Sequence, residues 1–280
     1  MRISFHCASH AGNVRKNNED SLLVLPDENL LVVADGLGGQ NCGEVASRVA
    51  VHRIRDFFRT TGAESAITWP SIDTRVQDDL GRRLVSAVQY AHAGVRDAAV
   101  ETPQFSGMST TVVAAWFVQR RVYVAHVGDS RCYRMTGGRL VQITRDHTLV
   151  NELENLGQGA PAEGVTLQAL RHVLSRAVGT GSAPHVQTDL AVVSPEVGDV
   201  FLLCSDGMTL DTPDDRIAQV LSSGDPPDDM VQELLALALA ASGGDNITVV
   251  VARVESLEED DGGNGCADPD TAETTVEVAE

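Results

Sequence analysis

Residues 30–39 read Leu-Leu-Val-Val-Ala-Asp-Gly-Leu-Gly-Gly. Five apolar residues run without a polar break and stop at Asp35-Gly36. Such a run, rich in branched side chains and closed by a turn pair, predicts a buried strand of the core. The pattern recurs along the chain. Phe201 to Cys204 stops at Ser205-Asp206-Gly207, Val122 to Val127 stops at Gly128-Asp129-Ser130-Arg131, and Asp245-Asn246 precedes Ile247 to Val254. One Asp-Gly alone is a turn signal. Four acids at the ends of core strands mean more if the ends meet, because two carboxylates 4 Å apart repel by about 4 kcal/mol at an effective dielectric near 20. Several such pairs would consume much of the roughly 5–15 kcal/mol that holds a domain together. Convergence therefore calls for a cation, and oxygen-only donors select hard ions such as Mg²⁺ or Mn²⁺.

The rest of the composition narrows the field. The chain has 280 residues, 42% hydrophobic and 22% charged, which fits one large globular domain. Its net charge of −19 argues against nucleic acid and anionic lipid as partners. Five scattered cysteines (Cys7, Cys42, Cys132, Cys204, Cys266) form no C-x-x-C pair, so neither a thiolate zinc site nor a disulfide framework is expected. The N-terminus lacks a secretory pattern, and no apolar run nears the ~20 residues of a membrane helix. A cytoplasmic protein is the expectation. Among the histidines, His6, His10, His52, His92 and His126 show no metal-ligand spacing and are expected at the surface or as satisfied core.

Helical periods mark Gly43 to Arg59, Val76 to Val100 and Pro227 to Ala241, and strand patterns mark Leu30 to Ala34, Thr110 to Val118, Arg121 to Val127, Val200 to Cys204 and Ile247 to Val254. Thr60 to Asp73 reads as a surface loop. Helix pairs bracketing blocks of strands predict an α+β fold, a four-layer α-β-β-α sandwich of two antiparallel sheets flanked by helix pairs. Residues 1–254 make the domain, with 146–188 as a flap-like insert of weak period. Residues 255–280 carry ten acids and no Lys or Arg, and read as a disordered acidic tail.

Seven motifs stand in order between Gly12 and Val254: Arg15-x-x-Asn18-Glu19-Asp20, Asp35-Gly36-Leu37-Gly38-Gly39, Gly107-Met108-Ser109-Thr110-Thr111, Gly128-Asp129-Ser130-Arg131, Asp146-His147, Ser205-Asp206-Gly207 and Gly244-Asp245-Asn246. Together they resemble the metal-dependent (type 2C, PPM) serine/threonine protein phosphatases, more narrowly the bacterial single-domain members. The resemblance implies that Asp35 bridges two Mn²⁺ or Mg²⁺ ions, Gly36 offers its carbonyl, and Asp206 and Asp245 complete one metal's shell. It implies that Asp129 holds a more labile third ion, and that Glu19, Asp20 and Asn246 surround the ligands. Arg15 would grip the substrate phosphate.

In that scheme a metal-bridging hydroxide attacks the phosphorus of a phosphoserine or phosphothreonine in a protein. Phosphorylated proteins and a cognate Ser/Thr kinase are the implied partners, and a monomer the implied state. The chain departs from the family pattern at Leu37 and Gln40, where other members carry histidine, at Leu210, and at His172, where Asn is commoner. No general acid is evident. Two rival readings of the same residues exist. A dinucleotide loop at Gly36 to Asn41 fails for lack of the final glycine and of a βαβ unit. A phosphatase-like scaffold or phosphopeptide sensor without turnover is disfavoured because every core acid and Arg15 is present.

Overall fold

Leu31 and Val33 point one way from their strand while Leu30, Val32 and Ala34 point the other, and all five are 0–1% exposed. A strand with two apolar faces needs a layer on each side. The first face packs against a second sheet and the other against helices.

The computed structural model describes residues 1–38, 42–61, 78–155, 170–181 and 183–258. Its strands are β1 (Arg2–His10), β2 (Asp20–Leu25), β3 (Leu30–Leu37), β4 (Ser109–Thr110), β5 (Val112–Val118), β6 (Arg121–Val127), β7 (Arg131–Thr136), β8 (Arg139–Gln142), β9 (Asp189–Val193), β10 (Val200–Cys204) and β11 (Ile247–Ser256). Its helices are α1 (Cys42–Thr61), α2 (Asp79–Glu101), α3 (Leu149–Asn155), α4 (Asp206–Thr209), α5 (Asp214–Leu221) and α6 (Pro227–Ala241). One sheet has the order β1-β11-β10-β7-β8 and the other β2-β3-β5-β6-β9, with β4 paired to β3. Every pairing is antiparallel.

The two sheets meet over Phe117, Val124, Phe201, Leu203, Val250 and Ala252. Phe117 and Phe201 stand edge to face at 5.2 Å between ring centroids, a preferred aromatic geometry. α1 and α2 cover the outer face of the second sheet, where Phe58 and Trp116 meet edge to face at 5.1 Å. α5 and α6 cover the first through Ile217, Leu221, Met230 and Leu234. The expected four-layer sandwich is the architecture observed.

Several local expectations need correction. Arg2–His10 forms a nine-residue strand that the sequence reading passed over. Its serines and histidines sit on a half-buried edge strand, while Ile3, Phe5 and Cys7 pack into the inter-sheet core. Thr60 and Thr61 belong to α1, their hydroxyls bonding back to Phe57 O; residues 62–73 of the expected loop lie outside the described residues. α2 starts at Asp79, where the Asp78 carboxylate caps it by accepting Leu80 N–H at 3.0 Å; Val76 and Gln77 of the expected helix lie outside the described residues. β11 continues to Ser256, two residues past the expected domain boundary. The described parts of 146–188 are tied down by α3 and by the bridges Thr148–Leu174 and Thr110–Val178. Residues 259–280 of the acidic tail lie outside the described residues. Among the described residues no helix is long and apolar enough to cross a membrane.

Candidate metal centre

The strand ends carrying acids do meet. Asp20 and Asp35 are directly opposite in the β2–β3 register. Asp206 begins α4 just past the end of β10, and its carboxyl lies within hydrogen-bond reach of Asp35. Two carboxyls that close must share either a proton or a cation. Asp35 also feels the charges of Asp20, Asp129 and Asp245, so all five acids face one region at the same end of both sheets.

Close backbone approach makes this possible. A Cβ on Gly36 would fall 2.1 Å from Gly43 O, and one on Gly207 would fall 2.0 Å from Asn246 O. The glycine after each acid is thus required by a neighbouring main chain, not by turn geometry alone. Asn246 stitches the N-terminal loop to the site. Its amide donates to Ala11 O at 3.0 Å and Asn17 O at 2.9 Å, while its oxygen accepts Glu19 N–H at 2.8 Å. Glu19 O in turn accepts Gly36 N–H at 3.1 Å and the Ser47 hydroxyl at 2.6 Å.

Arg15, predicted as a phosphate ligand, pairs with Asp245, Nη2 to Oδ2 at 2.7 Å. The other Asp245 oxygen accepts Asn246 N–H at 2.8 Å. The Arg15 side chain is 53% exposed, so its remaining donors face solvent at the rim. Asp20 is the most enclosed acid. Its Oδ2 accepts the Ser205 hydroxyl at 2.7 Å, whereas Oδ1 is buried with no hydrogen-bond partner. Ser205, quoted in the sequence only as the neighbour of Asp206, also accepts Thr248 N–H at 2.9 Å and so locks β11 to the site.

A cleft of about 550 Å³ opens beside these acids, lined by Asp129, Asp206, Arg171, His172, Leu210 and Asp211 among others. Asp146, which also lines it, is engaged by Arg131 through both carboxylate oxygens at 2.7–3.0 Å. That fork-to-fork pair neutralises one acid of the cleft wall.

The charges push the carboxyls upward. Burial raises Asp35 well above the ordinary range, with Asp20 and Asp206 adding to it. Burial likewise lifts Asp20 and Asp129 each to about 7. Asp206 rises through burial and then through Asp245, and Glu19 rises through burial. A cluster that resists its own ionisation in this way has a strong affinity for a divalent cation, which lowers every one of these values at once.

His126 is satisfied core, as expected, its Nε2–H donating to Arg145 O at 2.9 Å. Among the described residues, His126, His147 and Asp189 have ligand atoms all within 4.8 Å of one another. The two rings stack at 4.6 Å, and their 21-residue separation left no local signal to read. Burial lowers the His126 pKa to about 4. His92 likewise behaves as satisfied core, its Nδ1 accepting Gly179 N–H at 3.0 Å.

Comparison with known proteins agrees with the fold and the motifs. Residues 8–242 match the family model described as protein phosphatase 2C. The serine/threonine phosphatase stp of Listeria innocua is 32% identical over 251 residues, covering 89% of this chain and 94% of that one. The serine/threonine protein phosphatase PstP of Mycobacterium tuberculosis is 34% identical over 90% of this chain and 45% of its own length. A crystal structure of the PstP catalytic domain, in complex with two manganese ions, superposes with a TM-score of 0.73 at 33% identity over 91% of this chain and 99% of that one. Stp1 of Staphylococcus aureus superposes at 0.75 with 29% identity, over 91% of this chain and 96% of that one. With a family model spanning most of its length, this chain belongs to the protein phosphatase 2C family.

Proposed function

We propose that this chain hydrolyses phosphoserine and phosphothreonine in proteins, with two Mn²⁺ or Mg²⁺ ions held at the meeting strand ends. The observation that carries the reading is the gathering of Asp20, Asp35, Asp129, Asp206 and Asp245 at one end of both sheets. The donor set suits hard divalent ions: the five gathered acids offer only oxygen, and the buried, unpartnered Asp20 Oδ1 is an acceptor in want of positive charge or water. Asp35 would bridge the pair, Gly36 would add its carbonyl, and Asp206 and Asp245 would complete the shell. Asp129, on the cleft side, would hold a third, weaker ion. Bound there, the ions supply a water acidified toward neutral pH and positive charge against the phosphate oxygens.

The chain's own groups do the rest. Arg15 stands at the rim beside Asp245 with free donors, and its planar fork matches two phosphate oxygens. Asn246 fixes the loop from Ala11 to Glu19, and with it the position of Arg15. Glu19 and Asp20 flank the ligands and orient water. Arg131 keeps Asp146 neutralised, so the cleft wall offers less repulsion to an incoming phosphate.

The substrates of this reading are phosphorylated proteins, and a cognate Ser/Thr kinase supplies them. The protein acts as a monomer in the cytoplasm, in keeping with free thiols at Cys7, Cys132 and Cys204. The test is turnover of a phosphothreonine peptide with Mn²⁺ and with a chelator. Phosphate release that stops in chelator and returns with excess Mn²⁺ is expected. Turnover that survives exhaustive chelation would overturn the reading.

A further inference from the structure

His147 is 3% exposed and has a neighbour at each ring nitrogen. Nδ1 accepts Gly128 N–H at 3.1 Å, which leaves the ring proton on Nε2, 3.3 Å from Asp189 Oδ2. Asp189 is held in turn by Arg176 at 3.0 Å, and the other arm of Arg176 reaches Glu152 at 2.9 Å. Arg176 also passes 3.3 Å from Nε2, and His126 stacks on the ring. The hydrogen bond from His147 holds Asp189 below the usual carboxylate range.

The main chain of His147 is bound at the same place, donating to Gly128 O and accepting from Ser175 N–H, each at 2.9 Å. Gly128 has no freedom to adapt. Its φ of +107° suits glycine, and a Cβ there would lie 2.6 Å from Thr111 Cγ2. Asp129 follows directly. Ser130 then bonds the Thr111 hydroxyl at 2.6 Å, and that hydroxyl accepts Asp35 N–H at 2.9 Å. A continuous chain of contacts therefore runs from the His147 ring through the Asp129 loop to the backbone of Asp35. These contacts also weigh against an ion among His126, His147 and Asp189, since Nδ1 is occupied and Arg176 already supplies Asp189 with a cation.

We propose that His147 is a positioning residue whose Nδ1, by fixing the Gly128 peptide, aims Asp129 into the cleft and sets the affinity of the weakest divalent ion without touching it. The proposal rests on the reading of Asp129 as that ion's ligand. Outer groups that orient ligands typically change metal affinity by about 10–100-fold when removed.

Calorimetric Mn²⁺ titration and amide exchange at Gly128 test it in the full chain, for His147→Ala, His147→Asn, His147→Gln and Asp129→Ala. An Asn carboxamide reaches the place of Nδ1 and can accept the Gly128 N–H; a Gln carboxamide reaches the place of Nε2. Expected are a weak Mn²⁺ equilibrium loosened about 10–100-fold in Ala and Gln, faster Gly128 exchange in both, and recovery of both readouts in Asn. The tighter ions keep the parent's affinity. Asn and Gln behaving alike would overturn the clamp, and that comparison stands even if Ala does not fold. So would an unchanged weak equilibrium in His147→Gln beside its loss in Asp129→Ala. If Asp129→Ala titrates like the parent, the Asp129 reading fails, and the proposed effect on the weak ion fails with it.

Discussion

Replacing Asp35 by Asn should stabilise the metal-free protein while abolishing its function. Asp35 lies within hydrogen-bond reach of Asp206 and feels Asp20, Asp129 and Asp245. A carboxylate neighbour at about 8 Å contributes about 2 kcal/mol of repulsion at an effective dielectric near 20, and one at 4 Å about twice that. Without a cation the parent must either bear that repulsion or take up a proton that the unfolded carboxyl would release, and Asn avoids both, so the relief is about 2 kcal/mol. For a domain of this size each kcal/mol shifts Tm by about 2–4 °C, so in EDTA the variant should melt about 4–8 °C above the parent.

Saturating Mn²⁺ reverses the order. An ion at about 100 times its Kd adds about 2.7 kcal/mol to the parent, and the variant, lacking the bridging oxygen, gains little. Turnover of a phosphothreonine peptide should fall by about a thousandfold, the equivalent of roughly 4 kcal/mol of lost charge stabilisation. Calorimetric melting in EDTA and in Mn²⁺ reads both halves. An Asp35→Asn protein that melts below the parent in EDTA, or that keeps the parent's Mn²⁺ shift, would refute the reasoning.

Two further outcomes follow from other parts of the site. Arg15→Lys keeps the charge beside Asp245 but loses the fork, so KM for phosphate esters should rise by about tenfold; unchanged kinetics would remove Arg15 from the phosphate site. His126 has a folded pKa of about 4 against about 6.5 when unfolded, so between those values the unfolded chain binds a proton that the fold refuses. Stability is therefore complete above pH 6.5 and declines as pH falls toward 4, by about 3 kcal/mol in all. His126→Gln should flatten that decline in urea unfolding at pH 7.0 and 4.5, and an unaltered decline would contradict it.

The layers were legible because continuous apolar runs such as Leu30–Ala34 and Phe201–Cys204 can exist only between two other layers. Asp35 and Asp206 were legible for a related reason: each sits where such a run stops, before a glycine whose missing side chain admits a neighbouring backbone. What the sequence concealed depends on long-range pairing. Arg15 finds Asp245 across 230 residues, and Ser205 finds Asp20 across 185. The His126, His147 and Asp189 cluster draws one residue from the β6 strand, one from the segment after β8 and one from the start of β9, so no window of sequence contains its pattern. β1 escaped because an edge strand with half-exposed Ser and His residues lacks the apolar density that betrays a central one.

The most direct measurement is anomalous diffraction at the manganese edge from crystals grown with Mn²⁺. Two strong peaks are expected between Asp35, Asp206 and Asp245, with any weaker third peak at Asp129. Peaks confined to the His126, His147 and Asp189 cluster, with none between the three aspartates, would contradict the assignment of this site as a two-metal phosphatase centre.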